Sequence, residues 1–197
     1  KDQNLGITGL NAWQPLGVTA AADEELIVYV GGQGIKSGQD VPLRLVFTQN
    51  HAESDQVAQV MGTNLKTGRN EITVPQLTST DRERGGALYI QYTGTDGNAS
   101  YAVRVSGGNK IPTLNLYGTE GQERSQRIRQ YVSQLESYVA ELDQKHQELH
   151  STGENKQVQY AYDEKNCILN TTDIMLDHMM LSLPATQVFR GLDSGDR

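Results

Sequence analysis

The hydrophobic period of this chain changes once, near Gly118, and that change limits what it can fold into. Up to that point apolar residues fall in short runs ended by glycine or turn residues, the pattern of β-strands. "ELIVYVGG" (Glu25–Gly32) is a β-branched and aromatic run closed by two glycines. "VPLRLVFTQ" (Val41–Gln49) sets Leu43, Leu45 and Phe47 against Arg44 and Val46. "NEITVP" (Asn70–Pro75) follows a "KTGRN" turn. "GGALYIQYTG" (Gly85–Gly94) leads through "TDGN" into "SYAVRVSGG" (Ser100–Gly108), and the Asp96-Gly97 turn signal predicts that these two runs pair as a hairpin. Strands at this spacing predict an antiparallel, jelly-roll-like β-sandwich over residues 1–118.

Beyond Gly118 the apolar positions are Ile128, Tyr131, Val132, Leu135, Tyr138, Val139, Leu142 and Leu149. Steps of three and four mark one face of a helix. The spacing predicts a helix from about Glu120 to His150, opened by a Thr119/Gln122 capping box and closed by "STGENKQ" (Ser151–Gln157). After it, a short strand is expected near Cys167 to Leu169, with helix-like or buried segments on either side of Pro184. The predicted class is therefore α+β: a sandwich over 1–118, then a mainly helical region over 119–197.

The formal net charge of −7 argues against a nucleic-acid partner, because phosphate binding needs a basic face. The lone Cys167 allows no internal disulfide. No apolar run reaches the roughly 20 residues that span a bilayer. The first residue is Lys1 rather than an initiator methionine, so the chain is expected to be a piece of something longer.

One stretch, "KHQELH" (Lys145–His150), invites a catalytic reading. His146 and His150, four apart on a helix, could share a metal. A zincin helix reads HExxH, and its glutamate directly follows the first histidine. Here that position is Gln147. At about 100° per residue, Glu148 lies about 200° round from His146, on the far side. The inverted HxxEH form needs an acid where Leu149 stands. His146 instead continues the apolar stripe, and His150 suits a helix end. His51 and His178 lie elsewhere. "GGQG" (Gly31–Gly34) lacks a phosphate-loop lysine and reads as a turn. "DRER" (Asp81–Arg84) reads as a solvated loop, Cys167 as a buried small residue, and Met175, Met179 and Met180 as packing. Asn170-Thr171-Thr172 and Asn98-Ala99-Ser100 match the glycosylation sequon. Trp13 and the tyrosines could stack on sugar rings or fill a sandwich core. No catalytic, metal-ligating or substrate-binding residue is assigned.

"WQPLGVTAAADEELIVYVGG", "LKTGRNEITVP", "GGALYIQY", "IPTLNLYG" and "NCILNTTDIMLDHMMLSLPATQVFRGL" stand in an order that resembles the enhancin-like zinc metallopeptidases, notably bacterial, gut-associated members. The resemblance spans nearly the whole chain. It implies a sandwich that leads into a gluzincin catalytic region acting outside the cell on mucins and other O-glycosylated proteins. In that family HExxH supplies two zinc ligands and the general base, and a downstream glutamate is the third ligand. This sequence contains no HExxH. The resemblance therefore implies that zinc belongs to a longer parent and that no catalytic residue carries over to a position here. The alternative expectation is a non-catalytic glycan-binding, glycoprotein-binding or adhesion module.

Overall fold

The computed structural model describes residues 13–32, 34, 36–48, 60–77, 85–95, 100–151 and 168–194. The first part is a sandwich of two antiparallel sheets. Strands β1 (Trp13–Ala20), β3 (Asp40–Thr48), β4 (Val60–Lys66), β6 (Gly86–Tyr92) and β8 (Asn109–Lys110) form one sheet in the order β4-β3-β6-β1-β8. Strands β2 (Glu25–Gly32), β5 (Gly68–Thr73) and β7 (Tyr101–Ser106) form the other in the order β5-β2-β7. Leu26, Val28 and Val30 from one sheet meet Leu43, Leu45, Phe47, Leu88 and Ile90 from the other in a single core. Every second residue points inward, which is how a period of two becomes a sandwich.

The turn that the sequence marks as "KTGRN" is where the chain changes sheet. Gly68 at φ +88° bends the backbone between β4 and β5. Asn70 locks the bend: its Oδ1 accepts from Lys66 N–H, and its Nδ2 donates to the carbonyls of Lys66 and Val28. Thr67, buried beside it, accepts from Gln39 N–H and donates to the Lys36 carbonyl.

The predicted hairpin does not form. β6 pairs with β1 and β3, whereas β7 pairs with β2 in the opposite sheet. The reason is burial. The first five residues of β6 are all buried, so it sits at the centre of its sheet with both edges occupied. β7 alternates between half-buried and exposed and lies at an edge. The Asp96-Gly97 turn lies outside the described residues.

The second part packs on the sandwich through its own core. Helix α1 (Gly121–Ala140) and helix α2 (Leu142–Ser151) replace the single predicted helix. They are separated at Glu141, whose φ of −100° and ψ of 1° leave the helical region. The capping box is also absent: Glu120 occupies the cap without a side-chain bond, and Thr119 Oγ1 donates to the Leu116 carbonyl. Tyr131, Leu135, Tyr138 and Leu142 bury against Leu114, Leu116, Ile168 and Leu169.

The segment after residue 167 differs from expectation. Ile168–Asn170 form a turn and bend rather than a strand. β10 (Thr172–Met175) and β11 (Met180–Leu183) make an antiparallel hairpin before Pro184. Of the helix-like or buried segments expected on either side of Pro184, the one before it is this hairpin, with Thr172 and Asp173 buried, and the one after it is the helix α3 (Ala185–Ser194). β10 also pairs in parallel with β9 (Thr113–Asn115), forming the sheet β11-β10-β9. Among the described residues of 119–194 helices predominate, as expected, and the hairpin joins them to make a helix–hairpin unit. This unit covers the back of the five-stranded sheet, where Val46, Ala87 and Tyr89 are buried with Trp13 and Met180 packed against them. Val46 is therefore a second core residue facing away from Leu45, not a solvent-facing one.

Candidate functional site

The largest concentration of buried polar chemistry lies where the hairpin meets the five-stranded sheet. Tyr89, fully buried on β6, donates to Asp173 Oδ1 at 2.8 Å and lies 2.9 Å from Ser182 Oγ. Asp173 on β10 is completely buried, and its Oδ2 has no hydrogen-bond partner among the described residues. No ion pair to Asp173 is found among the described residues. Burial therefore pushes its carboxyl above the usual carboxylate range, opposed by the hydroxyls of Ser182 and Tyr89.

Two more buried tyrosines extend the network along α1. Thr172 Oγ1 donates its only proton to the Pro112 carbonyl at 2.8 Å, so Tyr131, 2.8 Å away, is the donor of their shared bond. Burial raises the Tyr131 pKa, the Thr172 bond lowers it, and the nearby Asp173 raises it further. Tyr138 donates to the Leu169 carbonyl at 2.7 Å. Asn170 grips Thr186 twice: its Oδ1 accepts from the backbone N–H and its Nδ2 donates to Oγ1, both at 3.0 Å. The first bond serves as a cap for α3, supplied from a distant residue.

This network can bind two layers together and hold a proton. Sequence reading missed its members. The signal available was one acid, Asp173, inside the otherwise neutral run "NTTDIML".

The residues that sequence inspection singled out are scattered. His146 is buried on α2, while Gln147 and Glu148 are exposed and bond along the helix to Asp143 and Gln144. The His150 side chain, Cys167, His51, Asp81–Arg84 and Asn98 lie outside what is described. His178 is exposed in the hairpin turn. Met180 is partly buried against Val46 and Tyr89, whereas Met179 is exposed. Trp13 is partly buried with its ring centroid 5.9 Å from that of Tyr89, so it belongs to the junction. Asn170 is buried and spent on Thr186, so its sequon is closed to a glycan in the folded chain.

Among the described residues no group of three or more His, Cys, Asp or Glu side chains could hold a metal ion. The zinc implied by resemblance does not fit the residues described, and no chemical step is derived through it. Among the same residues no helix is long and apolar enough to cross a membrane.

The fold and junction define a β-sandwich docked on a helix–hairpin unit, an arrangement shared with solved metallopeptidase modules. The M60 catalytic domain of Clostridium perfringens ZmpC, solved with the sialyl T antigen, superposes with a TM-score of 0.63 at 18% identity over 94% of this chain. The ZmpB metallopeptidase of the same organism gives 0.60 at 22% over 93%. The catalytic module of its metalloprotease ZmpA gives 0.57 at 21% over 93%. This chain covers 31% of each of those structures. No family model and no curated protein matches the sequence. At these identities the likeness establishes the fold, in agreement with the general kind of protein that the sequence phrases resemble.

Proposed function

We propose that this chain is the N-terminal part of a secreted or cell-surface zinc metallopeptidase acting on mucin-like O-glycosylated proteins, and that alone it is inactive. The observation that supports this reading is the fold match, which takes in the sandwich, the helices and the hairpin together rather than the sandwich alone. A sandwich by itself would be a general-purpose scaffold. A sandwich joined to this helix–hairpin unit narrows the choice. The absence of HExxH from the sequence is the reason to assign zinc and its ligands to residues outside these 197.

The role assigned to the chain is support. Its buried junction fixes the hairpin and α3 against the sandwich, and a catalytic constellation needs such rigid backing. The test compares two proteins: the 197-residue chain and the same chain extended through its natural downstream sequence. After dialysis, the extended protein should retain one zinc per chain and cleave an O-glycosylated glycoprotein, and a chelator should stop the cleavage. The 197-residue chain should do neither. Stoichiometric zinc on the short chain, with cleavage abolished by His146→Ala, would overturn the proposal.

A further inference from the structure

The outer face of the three-stranded sheet carries an arrangement that a merely solvated face does not require. β2 is its central strand, and its outward residues are Glu25, Ile27, Tyr29 and Gly31. Tyr29 is 43% exposed, one of few large apolar side chains so open to solvent among the described residues. Its register partners are Arg69 on β5 and Arg104 on β7, so Tyr29 stands between two arginine positions in one row. Side chains directly opposite on neighbouring strands are about 5 Å apart at Cβ, within easy reach of one ligand.

The rows on either side differ from each other. One row holds Ile27 with Glu71 and Ser106. Glu71 pairs with Arg69 and balances its charge. The other row holds Gly31 opposite Ala102, and a Cβ on Gly31 would meet nothing within 4 Å. This leaves a low, flat shelf beside the Tyr29 ring. The Arg104 side chain has neither a hydrogen bond nor an ion pair among the described residues. On this face Glu71 balances Arg69 and Glu25 lies at the far end of β2, which leaves Arg104 as the cation beside the exposed ring without a paired acid.

We propose that this face binds an acidic saccharide. The sugar ring lies on the Gly31–Ala102 shelf with its C–H face against Tyr29, the packing an aromatic ring offers to apolar C–H groups. Its carboxylate or sulfate accepts hydrogen bonds from the Arg104 guanidinium, whose planar fork matches such anions. Arg69 supplies a second, partly neutralised cation. Nucleic acid is a poorer fit, because one row of two arginines beside a glutamate neutralises too few phosphates. The site needs neither zinc nor a cleaved peptide, so it stands apart from the proteolytic reading.

The test is titration of the 197-residue chain with sialyllactose, sulfated lactose and plain lactose, followed by calorimetry or NMR. At least one acidic sugar should bind with a dissociation constant on the order of 1 mM, and lactose about tenfold more weakly. The tighter of the two acidic sugars identifies the anion. Tyr29→Ala and Arg104→Gln should each weaken binding about tenfold. Gly31→Glu should do the same by filling the shelf with bulk and negative charge, and unchanged melting temperatures would show that these variants fold. Absence of saturable binding to both acidic sugars, equal binding of lactose, or indifference to all three substitutions would overturn the proposal. Such a failure would leave the metallopeptidase reading untouched, since zinc and cleavage play no part in the assay.

Discussion

Replacing Asn170 by alanine should destabilise the chain far more than its sequon-like surroundings suggest. Asn170 is completely buried and makes two 3.0 Å bonds to Thr186, one to the backbone N–H in the first turn of α3 and one to Oγ1. Truncation removes both bonds and strips a buried N–H of this acceptor. Each bond contributes about 1 kcal/mol net, and a buried donor left without a partner costs about 1–3 kcal/mol. The expected loss is about 3 kcal/mol. At about 2–4 °C per kcal/mol for a chain of this size, the melting temperature should fall by about 6–12 °C. Thermal unfolding followed by circular dichroism measures the fall, and Trp13, packed on Tyr89, gives a second signal from the junction. Thr186→Val removes only the hydroxyl. A double-mutant cycle with Asn170→Ala should therefore return a coupling of about 1 kcal/mol, with the rest assigned to the backbone cap. A fall below about 2 °C, or additive effects in the cycle, would refute the reasoning.

Other outcomes follow from the same structure. The folded-state pKa of Asp173 is raised, so the native state holds this proton more tightly than the unfolded one. Its contribution is most favourable below the unfolded pKa of about 3.9 and is lost as pH rises through the higher folded value. The stability difference between wild type and Asp173→Asn should therefore move against the wild type as pH rises over that window. Denaturant titrations across pH measure this, and a difference that is flat or of opposite slope contradicts it. Gly85→Ala should prevent normal docking of β6, because the added Cβ would lie 1.9 Å from the Ala20 carbonyl oxygen, a backbone atom that cannot step aside. Soluble yield and melting temperature should both drop, and a variant within about 0.5 kcal/mol of wild type would count against that contact. Leu135→Ala, at a fully buried position in the second core, should cost about 2–5 kcal/mol in chemical denaturation. An unchanged midpoint would mean that α1 is not anchored there.

Strands β2, β3, β5, β6 and β7 and the long amphipathic helix were legible from their apolar runs and spacing, whereas β1, β4, β8 and β9 were not read as strands. Leu43, Leu45 and Phe47 alternate as a sandwich strand should, and Tyr131, Leu135 and Tyr138 recur on one helix face, all buried as expected. Partnership was less legible. The Asp96-Gly97 signal speaks only of a local turn, while β6 is buried on both faces, by the opposite sheet on one side and the hairpin on the other, and so sits at the centre of its sheet between β1 and β3. The contrast between the unbroken apolar run "ALYI" and the alternating "YAVRV" held that information. The break at Glu141 left no mark, since one residue outside helical geometry changes neither composition nor spacing appreciably. β10 and β11 were obscured because "TTDIM" and "MLSL" are short, and short apolar runs suit strand or helix equally. The Asp173–Tyr89–Ser182 network joins residues more than 80 positions apart, beyond the reach of any local pattern. The rejection of "HQELH" rested on rotation about a helix, which is local and needs no tertiary structure.

The central claim is that these residues are the supporting part of a zinc metallopeptidase. The most direct measurement is to read the coding sequence past Arg197. The account predicts an HExxH segment downstream, followed by a helix-borne glutamate as third ligand. A reading frame that ends at Arg197, or that continues without that motif, would contradict it and leave a binding protein in its place.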